Sequence, residues 1–76
     1  MSRVLVTGGA GTIGAAVVRR LIRDPDFEVR VSDQRDVPHW MREGCEVHTG
    51  DLRSLDEARK AIRGCSHVIH LSLIHI

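Results

Sequence analysis

Apolar and polar positions along this chain follow two alternating rhythms. Val4-Leu5-Val6 is a continuous apolar run, the pattern of a strand covered on both faces. After a cluster of glycines the spacing changes: Ile13, Val17, Val18, Leu21 and Ile22 share one half of a helical wheel with Gly14, and Arg19 and Arg23 take the other half. The pattern predicts a strand from about Arg3 to Thr7 and a helix from about Thr12 to Arg23, stopped by Asp24-Pro25-Asp26. A second strand is expected at about Phe27 to Ser32. Gln34 to Gly44 contains Pro38 and is expected to hold at most one short helical turn, around Trp40. A third strand follows at Cys45 to Thr49. Ser54-Leu55-Asp56-Glu57 then matches a capping box, with Ser54 as N-cap and Glu57 reaching back to it. That helix continues through Ala58, Ala61 and Ile62 to a stop at Gly64. A fourth strand is expected at about His67 to Leu71.

Strands that alternate with helices imply a parallel sheet with right-handed crossovers. The order predicts an α/β fold: the N-terminal half of a Rossmann doubly wound parallel sheet, strand order 3-2-1-4, and incomplete. Val68-Ile69 is apolar like an interior strand, yet no helix follows to cover one face. The fourth strand therefore reads as an edge whose neighbour is missing.

The glycines carry the candidate chemistry. Gly9-Ala10-Gly11-Thr12-Ile13-Gly14 fits G-x-G-x-x-G, and Gly8, Gly11 and Gly14 also fit T-G-x-x-G-x-x-G. Between a strand and a helix such glycines permit a tight turn with positive φ, a close backbone approach to a pyrophosphate, and close packing of helix on strand. The helix then turns unpaired N–H groups and the positive end of its dipole toward the phosphates. Asp33, 19 positions after Gly14, supplies the second half of a dinucleotide fingerprint. A carboxylate at that strand end can accept from both hydroxyls of an adenosine ribose and would repel a 2′-phosphate, which favours NAD over NADP. Arg35 pulls the other way, since an arginine there can hold that phosphate, or it can lie over the adenine face.

Composition narrows the partners. The chain has 76 residues, 11 basic and 10 acidic, for a net charge of +1. That mixture points to neither nucleic acid nor a membrane surface. The length is about half that of a dinucleotide-binding domain, and a chain this short buries only about 60% of its unfolded surface. No leader-like segment stands at the start, so a cytoplasmic location is expected. Cys45 and Cys65 begin the two outermost predicted strands, roughly 14 Å apart across three strand spacings, too far for a disulfide. The five histidines fall at positions without zinc-site spacing, so no metal is expected. Arg19, Arg20 and Arg23 read as a solvated helix face, and Trp40 with Met41 as core rather than adenine pocket. No Lys-Ser or Lys-Thr follows the glycines, which excludes a phosphate loop of the G-x-x-x-x-G-K-[ST] type.

Taken together, Thr7-Gly8-Gly9-Ala10-Gly11-Thr12-Ile13-Gly14, Asp33, Gly50-Asp51-Leu52-Arg53 and His67-Val68-Ile69-His70-Leu71 resemble the N-terminal part of the extended short-chain dehydrogenase/reductases, the NAD-dependent epimerase/dehydratase family. The resemblance implies that Gly8, Gly11, Thr12, Ile13 and Gly14 hold the pyrophosphate, Thr12 and Ile13 mainly by backbone N–H. It implies that Asp33 holds the adenosine ribose and that Asp51 accepts from the adenine amino group, with the backbone of Leu52 beside the ring. Leu71 and Ser72 would line the pocket toward the second ribose, although the family usually has alanine where Ser72 stands. It further implies a parent enzyme, an epimerase, dehydratase or dehydrogenase, that moves a hydride to and from NAD on a nucleotide sugar or similar small molecule. A homodimer is compatible with that parent.

The family's proton transfer uses a Tyr-x-x-x-Lys pair. This chain has no tyrosine, and its one lysine, Lys60, falls on a predicted surface helix. No catalytic residue is therefore assigned here, and the chain reads as the cofactor-binding front of an enzyme. Residues 1–72 are expected to form the partial Rossmann domain. Residues 73–76 are expected to be either a non-native tail resembling translated sequencing adapter or a native strand cut short. Two rival readings stay open: a non-catalytic relative that binds a dinucleotide as sensor or structural element, and a Rossmann relative that binds a flavin or a methyl donor.

Overall fold

The computed structural model describes residues 2–71. The expectations for Ser72 and for residues 73–76 lie outside that range. Four parallel strands, β1 (Ser2–Thr7), β2 (Phe27–Asp33), β3 (Glu46–Thr49) and β4 (His67–His70), form one sheet in the order β3-β2-β1-β4. Helices α1 (Thr12–Ile22), α2 (His39–Gly44) and α3 (Leu55–Ile62) connect them. The strand order and the alternation of elements are those the sequence predicts.

The alternating side chains of the strands divide the molecule into two layers around the sheet. Val4, Val6, Val29 and Val31 point to one face and form a core with Val18 of α1, Met41 of α2 and the buried Val37. The alternate positions point the other way, toward α3. There Arg30 donates to the carbonyls of Ala61 and Arg63 at 2.7 Å each, capping the C-terminal end of α3, and pairs with Glu46 at 2.8 Å. Gly64 follows with φ +77°, the left-handed conformation that ends the helix.

Two expectations need correction. Where the sequence suggested at most one turn around Trp40, a six-residue helix runs from His39 to Gly44. Pro38 is its N-cap, in an extended conformation, and its carbonyl accepts from Met41 N–H at 3.0 Å. Burial of Met41 then holds the helix to the sheet. The second correction concerns α1. Val18 is buried and Val17 and Leu21 pack against the core, but Ile13, placed on the inner half by the wheel, is 68% exposed. The first turn of α1 packs through Gly14 and Ala15, and Ile13 instead faces the cleft at the strand ends.

Among the described residues β4 is an edge of the sheet, as expected. Val68 is 52% exposed, and Leu55 and Ile62 of α3 are also exposed. Trp40 is half-buried against the core, with the Arg19 guanidinium 4.7 Å from its ring centre. Both cysteines are free thiols, and burial pushes the Cys45 thiol up from its ordinary pKa. Among the described residues no helix is long and apolar enough to cross a membrane.

Candidate functional site: a cleft at the carboxyl ends of the strands

The turns after β1, β2, β3 and β4 all open into one cleft of about 1160 Å³. Gly8, Gly11, Thr12, Ile13 and Gly14 line it from the first turn, Asp33 from the second, Asp51 and Leu52 from the third, and Leu71 from the fourth. Residues drawn from four separate stretches of sequence are thus brought to one place. This is where ligands of open α/β sheets bind, at the strand carboxyl ends beside the point where strand order reverses.

The glycine turn is built by close contact. Gly8 has φ +74°, and a Cβ there would stand 2.5 Å from the Leu71 carbonyl oxygen. Of the two glycine spacings, the one starting at Gly8 is therefore the one whose first glycine makes the positive-φ turn. A Cβ on Gly14 would sit on the Gly8 carbonyl oxygen and 2.8 Å from Gly9 Cα. Gly14 thus lets α1 pack on the turn itself, which is a narrower role than packing on the strand. The N-cap of α1 is Gly11, no side chain caps the helix, and its first turn contains no acidic residue. The helix end faces the cleft with its dipole uncompensated by its own side chains.

Asp33 closes β2 and is largely buried, its side chain 6% exposed. Its Oδ2 accepts from Ala10 N–H at 2.9 Å, and its Oδ1 from Arg35 N–H at 2.9 Å. The Arg35 side chain folds back on the same carboxylate, Nε to Oδ1 and Nη2 to Oδ2, at 3.2 Å each. Burial pushes the carboxyl pKa up, but the Arg35 side chain, the two backbone donors and the Arg35 charge together outweigh burial and hold it below the usual range. Arg35 thus lies on the acid, where the sequence left it free to reach a phosphate or an adenine.

Asp51 repeats the geometry one strand over, in the open. Its Oδ1 accepts from Arg53 N–H at 2.9 Å, and the Arg53 guanidinium binds the same carboxylate at 2.8 Å. The Arg53 side chain keeps the Asp51 carboxyl below its ordinary pKa. Asp33 and Asp51 are each followed two positions later by an arginine that folds back onto them. The sequence reading assigned no such role to Arg53, though the two Asp-x-Arg spacings at strand ends were there to be read.

A second polar group lies just beneath the cleft and was missed altogether. The buried hydroxyl of Ser32 meets His48 Nδ1 at 2.9 Å, and His48 Nε2 meets Glu57 Oε2 at 2.9 Å. Glu57 also pairs with Lys60 at 3.4 Å, and together with His48 this lowers its carboxyl pKa. The capping box is therefore only half formed. Ser54 Oγ accepts from Glu57 N–H at 3.5 Å, but the Glu57 carboxylate goes to His48, and Ser54 N–H donates to the Asp51 carbonyl at 3.0 Å. Period-two polarity at Glu46 and His48 in β3 was the available signal.

The fold and the cleft define a Rossmann-type dinucleotide-binding half-domain. The profile of the 3-beta hydroxysteroid dehydrogenase/isomerase family matches residues 5–76, and the chain belongs to that family, among the extended short-chain dehydrogenase/reductases. The L-arabinose 1-dehydrogenase (NAD(P)(+)) of Haloferax volcanii is 33% identical over 72 residues, covering 95% of this chain and 26% of the relative. Among solved structures, a short-chain dehydrogenase/reductase superfamily protein of Agrobacterium tumefaciens with bound NAD is 36% identical, with a TM-score of 0.78 over 97% of this chain and 21% of that one. The UDP-glucose 4-epimerase of Thermus thermophilus in complex with NAD is 35% identical, with a TM-score of 0.76 over 95% of this chain and 24% of that one. The chain spans about a quarter of the length of the curated relatives it matches.

Proposed function

We propose that this chain binds the adenosine and diphosphate of NAD and is the coenzyme-binding part of an NAD-dependent oxidoreductase, epimerase or dehydratase. The observation that carries the reading is the α1 N-terminus. It has no side-chain cap and no acid in its first turn, and it meets a glycine turn too tight for any Cβ at Gly14. Such an end is a ready anion site. The cradle and its donors fit a diphosphate, and the buried acid at the end of β2 fits a ribose.

In this reading the backbone N–H groups of Thr12, Ile13 and Gly14 orient the diphosphate. Asp33 holds the ribose hydroxyls and keeps a 2′-phosphate at a distance. Asp51 and the Leu52 backbone meet the adenine, and Leu71 borders the far ribose. NAD, when bound, supplies hydride transfer. The tyrosine and lysine of the family's proton transfer would belong to a longer polypeptide, since this chain has no tyrosine. The substrate class we propose for that protein is a nucleotide sugar or similar small molecule, which the epimerase among the neighbours supports. A cytoplasmic location and a homodimeric parent are proposed with it, on the resemblance to that enzyme family.

NAD is preferred to NADP because Asp33 is ionised and buried at the ribose position. Arg35 is the residue to watch for NADP use, because its side chain, 59% exposed, carries the cation beside that position and is engaged with Asp33. The test is a titration with NADH and NADPH of wild type and Asp33→Ser. The wild type should prefer NADH, and the variant should lose at least tenfold of that preference. An unchanged ratio would remove the assignment of Asp33.

A further inference from the structure

The Ser32–His48–Glu57 chain lies on the α3 side of the sheet, and nothing in the proposed coenzyme contacts uses it. Its surroundings are specific. Ser32 immediately precedes Asp33, and its backbone carbonyl, not the hydroxyl held by His48, accepts from Gly8 N–H at 2.8 Å, so Ser32 ties the phosphate turn to β2 by backbone alone. His48 stands two residues before Gly50, whose N–H donates to the Asp33 carbonyl at 3.3 Å. Directly above the imidazole–carboxylate pair, a Cβ on Gly50 would lie 2.6 Å from Glu57 Oε2 and 3.1 Å from His48 Cε1. The Gly50-Asp51-Leu52 turn therefore rests on this pair with no room between them.

The pair has a definite polarity. An ionised Glu57 can only accept, so His48 Nε2 carries the hydrogen toward it. In the neutral imidazole Nδ1 then accepts from the Ser32 hydroxyl, which satisfies a group with no exposed surface. Glu57 serves this bond in place of the reciprocal half of its capping box, and Ser54 N–H binds the Asp51 carbonyl from the other side. Local helix capping is thus given up for a tie between α3, β3 and β2 that ends under one turn.

We propose that His48, held by Glu57 and Ser32, is a positioning residue for the Gly50-Asp51-Leu52 turn, and so fixes the adenine wall of the cleft while leaving the diphosphate turn independent. This rests on the dinucleotide reading and deepens it. The imidazole touches no coenzyme. It sets the height of the turn whose acid and backbone meet the base.

The test separates the two ends of the cleft with two probes, adenosine 5′-monophosphate and inorganic pyrophosphate. Each is titrated to millimolar concentration into the 76-residue chain and read from backbone amide shifts. His48→Ala should weaken adenosine monophosphate about tenfold and leave pyrophosphate within twofold. His48→Gln, which can still donate to Glu57 and accept from Ser32, should restore most of the loss. Glu57→Ala reaches the same floor from α3 and should give the same split, so it decides the matter if His48→Ala does not fold. Parallel losses for both probes, or no loss for either, would overturn the proposal while the dinucleotide reading stands. Failure of the wild type to bind either probe would overturn both.

Discussion

Helices α1 and α3 begin at the same edge of the sheet, yet their first turns are finished in opposite ways. The α3 N-terminus is completed by the protein: Ser54 caps it, and Asp56 and Glu57 set negative charge against its dipole. The α1 N-terminus has neither a cap nor an acid, only glycines. A side-chain cap contributes about 1 kcal/mol, and a charge at a helix end about 0.3–1 kcal/mol. Forgoing both at α1 while supplying both at α3 leaves one helix end open to an external anion. Had α1 been finished like α3, its own side chains would compete with any phosphate for the same N–H groups.

The largest expected effect that sharpens this contrast is at Gly14. Gly14→Ala places a methyl group on the Gly8 carbonyl, where backbone must move. It should destabilise the fold by roughly 1–3 kcal/mol and abolish detectable NADH binding. Thermal unfolding and titration calorimetry check the two parts. The counterpart at the other helix is Ser54→Ala, which should cost about 1 kcal/mol of stability and leave NADH affinity within twofold. Equal loss of binding in both variants would erase the distinction between the two helix ends.

A smaller effect concerns the two acids, one buried and one exposed. Arg35→Ala should weaken NADPH severalfold more than NADH, because it removes the only cation seated on Asp33 among the described residues. Arg53→Ala, at the exposed acid, should change the NADH-to-NADPH ratio little. Smallest of all is a pH effect on stability. Asp33 is held below its ordinary value of 3.8, so its contribution is complete above that value and is lost as pH falls toward the folded pKa. Asp33→Asn should flatten the acid limb of the unfolding curve, and an unaltered limb would mean the carboxylate is not held this way.

These contrasts also show where the sequence could be read and where it could not. β1 and α1 are strongly patterned stretches, and the short β4 is marked by its apolar Val68-Ile69 pair, so their existence and order are legible in the sequence. The Gly8-to-Gly14 turn and Asp33 are legible because their spacing is local to one β-α-β unit. The α2 helix was not, because its stability comes from Met41 entering a core assembled by distant strands, and Pro38 marks its start only once that core exists. Ile13 misled for the related reason that a helical wheel does not show which apolar position faces a cleft rather than the core. The Ser32–His48–Glu57 chain joins three elements through side chains 9 and 16 positions apart, and a capping-box motif had already claimed Glu57. Arg35 falling back on Asp33 is a contact two residues long, yet its outcome depends on how deeply the strand buries the acid.

In the proposed binding mode the unfinished end of α1 receives the diphosphate. The direct measurement is an NADH titration of the ¹⁵N-labelled chain, comparing the amide signals of Thr12, Ile13 and Gly14 with those of Leu55, Asp56 and Glu57. In that mode large saturable shifts are expected at the first three and small ones at the second three. Shifts of equal size at both helix ends, or none at Thr12, Ile13 and Gly14, would contradict it.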